Sequence, residues 1–159
     1  MKQHEIAKWL KVICLGIGVM GVIFFGLIIP NLAMESKHQY PEVDFLFWPG
    51  LICTWFIGAL CYAILYQFWR VCIQIGRDNS FSCENSKSFV AISKFAAGIS
   101  LISFGAMCFL GANKWLNPGI MLLIIGVIFI SIIITVLAAA LSHLIIKAYE
   151  LKQENELTI

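Results

Sequence analysis
Apolar positions in this chain neither alternate nor recur on one helical face; they run on without interruption. Residues 12–29 are 18 consecutive aliphatic, aromatic, Cys, Met and Gly residues. Residues 45–69, 95–113 and 115–146 form uncharged blocks of 25, 19 and 32 residues. A helix rises about 1.5 Å per residue, so roughly 20 residues cross a hydrocarbon layer about 30 Å thick. A closed barrel would show a polar residue at every second position. The pattern therefore predicts four transmembrane helices, near 10–29, 46–69, 95–112 and 119–143. The expected fold is all-α, a single integral-membrane, antiparallel four-helix bundle over 1–159. An outer loop at 30–45 and a cytoplasmic hairpin at 70–94 complete it.

Composition agrees with this pattern. The chain has 159 residues, 60% of them hydrophobic and 13% charged. A soluble domain averages about 45–50% apolar and about 25% charged. So small a chain cannot hide this much apolar surface in one core, so lipid must accept it. The net charge of +2 is too small to indicate a nucleic-acid partner.

One motif points elsewhere and fails in its context. Gly16, Gly18 and Gly21 spell G-x-G-x-x-G after an apolar run. A dinucleotide-binding turn needs a strand before it and an amphipathic helix after it. Here Val22 to Ile29 follow, with no polar face. The glycines are better read as allowing a neighbouring helix to come close.

Placement of charge predicts the orientation. Lys2, Lys8 and Lys11 precede the first span, and Arg70, Arg77, Lys87 and Lys94 lie between the second and third. Lys147 and Lys152 follow the fourth, whereas only Lys37 and Lys114 occupy the other two connections. The positive-inside rule puts both termini and the middle loop in the cytoplasm of a multi-pass cell-membrane protein. Trp48 and Trp69 flank the second span as interfacial anchors, 21 residues or about 31 Å apart. Trp9 and Trp115 take boundary positions on the first and fourth spans. The first span is expected to be retained rather than cleaved, since no small-x-small site follows Pro30.

The connections carry local signals. Gly76 suits a helix end, and Arg77, Asp78, Asn79 and Ser80 suit a turn. Ser82 is a good N-cap, with Glu84 in the following first turn. The second helix is thus expected to reach about Ile75, and the third to begin near Cys83. Pro118 and Gly119 after Asn117 predict a tight turn opening the fourth span. Its end continues as a polar helical tail that frays.

The order of short motifs resembles a family of small bacterial four-span proteins, domain of unknown function 2975. The resemblance rests on Tyr40-Pro41-Glu42, Leu65-Tyr66-Gln67, Asn79 to Ser82, and Glu154 to Ile159. It covers nearly the whole chain and implies no biochemical activity. Members of the family are often encoded beside small helix-turn-helix regulators, which implies a regulated membrane component. The many cysteines of this chain depart from the family's usual look.

Chemistry-bearing residues are few. Six cysteines, at 14, 53, 61, 72, 83 and 108, include no C-x-x-C pair and read as small buried hydrophobes. Cys53 and Cys108 fall in the outer half, where pairing depends on how their helices face. Cys72 or Cys83 lies where an acyl chain is sometimes attached. No Asp, Glu, Lys or Arg occupies a span core, which argues against a proton-coupled exchanger or a voltage sensor. His143 reads as an interfacial histidine without a second histidine to share a metal. His38, Glu42 and Asp44 read as a solvated loop rather than a cation site. No catalytic, cofactor or metal residues are assigned, and no enzymatic activity is expected.

Two stripes remain. Gly50, Thr54, Gly58, Tyr62 and Tyr66 recur every four residues, as do Ser131, Thr135, Ala139 and His143. If both faced the bundle axis, Tyr62, Tyr66, Gln67, Thr135, Ser142 and His143 would line an inner crevice. The leading expectation is a non-enzymatic interaction or regulatory module. It would contact a cytoplasmic or membrane protein through residues 77–89, with Asn79, Phe81, Ser82 and Phe89 as the candidate surface, and through the tail, while Arg70, Arg77, Lys87 and Lys94 sit against anionic lipid. The alternative is a carrier or immunity-type protein that holds a small hydrophobic molecule or peptide between its helices.

Overall fold
The structure is a computed structural model. It describes the backbone of residues 3–39, 41–77 and 79–157. Side chains are described at these positions except 3, 4, 36, 37, 39, 41–43, 156 and 157. Among the described residues every regular element is helical: α1 (Gln3–Ile23), α2 (Ile29–Gln39), α3 (Phe47–Ile75), α4 (Cys83–Ala112) and α5 (Pro118–Leu157). Among the described residues, four helical stretches are long and apolar enough to cross a membrane: Glu5–Glu35, Asp44–Ile75, Cys83–Ala112 and Pro118–Asn155.

The predicted outer loop at 30–45 is mostly helix instead. A five-residue π-helical turn, Phe24–Ile28, joins α1 to α2, and a 3-10 turn, Pro41–Leu46, leads into α3. The sequence signal that misled here is Pro30. Proline lacks an N–H but suits the first turn of a helix. Leu32, Ala33, Met34 and Glu35 beyond it are good helix formers.

Helix ends follow their local chemistry. The Ser82 hydroxyl accepts the Asn85 N–H at 3.2 Å, which caps α4 as predicted. The Asn117 side chain accepts the Ile120 N–H at 2.8 Å, and Pro118 takes the first helical position of α5. At the end of α4, Trp115 N–H reaches the Leu110 carbonyl and Lys114 N–H the Gly111 carbonyl. That paired closure is a Schellman motif. Its left-handed position is held by Lys114, at φ 60°. Trp115 packs edge-on against Phe45 and Phe109, at centroid distances of 4.8 and 6.3 Å. Gly76 ends α3 with helical dihedrals, so its use is not a positive φ. A Cβ there would lie 3.2 Å from the Ala7 methyl group.

Contacts between helices form a row. α1 packs on α3, α3 on α4, and α4 on α5; among the described residues α1 does not close on α5. Neighbours run in opposite directions. Ser86 meets Ser142 and Ser93 meets Thr135, seven residues on along α4 and seven back along α5. Gln74 bonds Glu84, and Leu60 lies against Gly98, fourteen back on α3 and fourteen on along α4. An open row leaves most side chains facing outward. Even in the most buried span only 17% of the apolar window is covered by protein. That arrangement is stable only where lipid surrounds it.

Candidate functional site
The row has two seams with side-chain chemistry and one structured connection. The α1–α3 seam is built on small residues. Gly18 and Gly21, two of the three glycines in the opening motif, face α3: a Cβ on Gly21 would fall 2.7 Å from the Tyr62 hydroxyl. Gly16 has open space around it. The close approach lets Tyr62 donate to the Gly18 carbonyl at 2.6 Å. Gly58 on α3 in turn admits the Phe25 ring, which a Cβ would meet at 3.0 Å. Trp55 donates its indole N–H to the Phe25 carbonyl at 3.2 Å. The Cys14 thiol points at the Leu65 carbonyl. Between these contacts lies an apolar cleft of about 350 Å³, lined by Cys14, Gly18, Tyr62, Leu65, Tyr66 and Trp69 among others.

The α4–α5 seam is polar. Ser86 and Ser142 are both buried, and their hydroxyl oxygens are 2.9 Å apart. Each hydroxyl also lies 3.1 Å from the other residue's carbonyl. One turn pair deeper, Ser93 donates to the Thr135 carbonyl at 3.0 Å. The Thr135 hydroxyl bonds back to Ser131 within its own helix. Above these serines opens a cleft of about 400 Å³, lined by Ser86, Ser93, Lys94, Ser142 and His143 with flanking apolar residues.

The single inner crevice expected from the sequence does not form. Tyr62 and Tyr66 line the α1–α3 cleft, whereas Ser142 and His143 line the α4–α5 cleft. Gln67 shares the face of Leu60 and Gln74, seven residues from each, and so turns toward α4. Its side-chain amide oxygen, Oε1, is buried without a hydrogen-bond partner. Thr135 meets Ser93 of α4. The physical reason is the open row: α4 stands between α3 and α5, so their stripes cannot share an axis. The buried face of α5 is Ser131, Ala138 and Ser142, a seven-and-four spacing rather than the strict fours expected.

Residues 79 and 80 of the connection are held from several sides. Asn85, 1% exposed, donates to the carbonyls of Ser80 at 2.8 Å and Asn79 at 3.4 Å. Gln74 accepts the Asn79 N–H on its carbonyl at 3.1 Å and bonds Glu84 through its side chain. Of the four expected contact residues, Asn79 and Phe81 face outward, Phe81 by 57%. Ser82 is buried as the helix cap, and Phe89 is half-buried on α4. Neither of the last two offers an open surface.

Sequence reasoning did not single out Asn85 or Ser86, and it placed Lys94 among the middle-loop cations that sit against anionic lipid. Lys94 stood at the end of the predicted hairpin, but it lies inside α4, twelfth from Cys83. A signal did exist: Ser86 and Ser93, seven apart, match Thr135 and Ser142, seven apart on an antiparallel neighbour. All six cysteines are free, Cys53 and Cys108 included. Among the described residues no three His, Cys, Asp or Glu side chains gather as metal ligands. Glu42, in the loop grouping with His38 and Asp44, has a side chain outside the described set.

Four apolar helices in a row, closed by hydroxyl and glycine contacts, define a multi-pass integral membrane protein. The chain belongs to the family described as protein of unknown function DUF2975, whose model matches residues 31–159. It is also similar to the uncharacterized membrane protein YoaS of Bacillus subtilis (strain 168), 26% identical over 152 residues and covering 94% of each chain. No solved structure matches it.

Proposed function
We propose that the chain is a non-enzymatic membrane module that engages a partner protein through the connection around Asn79 and Phe81, together with the α5 tail. The observation that carries this reading is the setting of Phe81. A large apolar side chain is 57% exposed on a connection that Asn85 and Gln74 fasten to the helices. A loop fastened by hydrogen bonds has less freedom to lose on binding, and an exposed aromatic ring suits the centre of a contact. Phe81 lies twelve residues past Trp69, beyond the level of the interfacial ring, so it is better placed for protein than for acyl chains. The positive-inside pattern supports a cytoplasmic side for this loop and both termini, in the cell membrane.

The test is photo-crosslinking from position 81 in intact membranes, with Phe81→Ala and Phe81→Leu compared by co-purification. Loss of the crosslinked partner in Phe81→Ala, retention in Phe81→Leu and unchanged bundle stability support the reading. Identical partners in all three proteins overturn it. The carrier reading draws on the apolar α1–α3 cleft. It expects Tyr62→Ala to alter protection by a bound hydrophobic molecule while the crosslinked partner stays the same.

A further inference from the structure
We infer that the α4–α5 cleft is a binding site for the phosphate headgroup of an anionic phospholipid. The argument starts from Lys94. Stepping five residues from the Gln74–Glu84 pair along each helix brings Trp69 level with Phe89. Lys94 is five residues further along α4, about 7.5 Å deeper than that aromatic level. An ammonium left at this depth in hydrocarbon is costly, so the side chain must reach back to the interface. Helical side chains lean toward their helix N-terminus, and the N-terminus of α4 is at the interfacial end. Lys94 is thus directed along the cleft toward Ser86.

His143 approaches from the other side. The N-terminus of α5 lies at the opposite end of the row, so the same lean carries the imidazole inward, toward Lys94. Both side chains line the one cleft of about 400 Å³, and no carboxylate lines it. Lys87 lies seven residues before Lys94 and Lys147 four after His143, each on the same helix face as its neighbour. The Ser86–Ser142 pair closes the floor. Val90 and Ile146, also in the lining, are apolar flanks on which an acyl chain would lie. A cation that must reach back from below the aromatic level toward the interface, flanked by apolar surface, matches a phosphodiester that arrives attached to its lipid.

The experiment uses the full chain in nanodiscs of equal phosphatidylglycerol and phosphatidylcholine, with retained lipid read by native mass spectrometry after mild delipidation. The wild type is expected to hold phosphatidylglycerol preferentially. Lys94→Gln should lower that preference about fivefold, Lys94→Arg should restore it, and Lys114→Gln at the far end should leave it unchanged. Circular dichroism of each variant establishes that the helices are intact; should Lys94→Gln lose helicity, His143→Gln takes its place with the same expected direction. Excess inorganic phosphate should not displace the lipid, because the flanking apolar contacts belong to the site. Equal retention of the two lipids, or a Lys94→Gln protein that behaves as wild type, overturns the proposal. Displacement by phosphate alone also overturns it, in favour of a free-anion site.

Discussion
The Trp55 indole N–H donates to the Phe25 carbonyl at 3.2 Å, across the α1–α3 seam, and Pro30 is the reason that carbonyl is available. In the π-helical turn the Ile29 N–H reaches back five residues to the Phe24 carbonyl. The next such bond would join residue 30 to Phe25, but proline has no N–H. A carbonyl left without a donor in lipid is costly, and Trp55 supplies the donor from the neighbouring helix. Trp55→Phe should therefore destabilise the fold by about 1–3 kcal/mol. In a Pro30→Ala background, where an N–H is restored, the same change should cost clearly less. Reversible unfolding in mixed micelles, run as a double-mutant cycle, reads the difference. Equal costs in both backgrounds would show that Pro30 does not create the need.

Ser86 and Ser142 make the polar clasp of the α4–α5 seam. Hydroxyl bonds between membrane helices average about 0.6 kcal/mol, because separated helices find other partners in the bilayer. Ser86→Ala and Ser142→Ala are each expected to cost of that order, and the double variant little more than either single one. Ser142→Leu should cost several times more, since it forces a large side chain into a buried serine site. Steric-trapping measurements in bicelles can resolve these steps.

Gly21 is spaced to receive Tyr62. Its missing Cβ would stand 2.7 Å from the phenolic oxygen and 3.2 Å from the ring carbon bearing it. Gly21→Ala should push the hydroxyl off the Gly18 carbonyl and lower thermal stability by about 1 kcal/mol. Removing the hydroxyl first, in Tyr62→Phe, relieves the closer clash, so Gly21→Ala should then cost less. A melting series of the four proteins decides it, and strict additivity would contradict the contact.

Lys114 carries the left-handed position of the Schellman turn, at φ 60°. A non-glycine residue loses roughly 1 kcal/mol there relative to glycine. Lys114→Gly is expected to raise the melting temperature by a few degrees without changing any helix contact. An unchanged or lower value would mean that Lys114 makes a compensating contact at the membrane surface.

Much of the fold was readable residue by residue. Uninterrupted apolar runs demanded four helices in lipid because no core of this size could cover them. Ser82 and Pro118 announced helix starts because capping is local chemistry, settled within one turn. The helical stretch after Pro30 was missed because the sequence shows the lost donor but not the π turn and tryptophan that replace it. The inner crevice was misplaced for a different reason. Small-residue stripes say that a helix has a close neighbour, but not which one.

The sequence by itself determined the solvent, the number of spans and the Ser82 cap. Each of these depends on neighbours along the chain or on total apolar surface. Only the tertiary structure decided that the helices stand in a row, that Tyr62 belongs to Gly18 and Ser142 to Ser86, and that Lys94 and His143 share a cleft. Those pairings depend on how each helix is turned about its axis. In lipid nearly every face of such helices is apolar, so no hydrophobic stripe specifies the rotation. A few hydroxyls and missing side chains do, and they act only once a particular neighbour is in place.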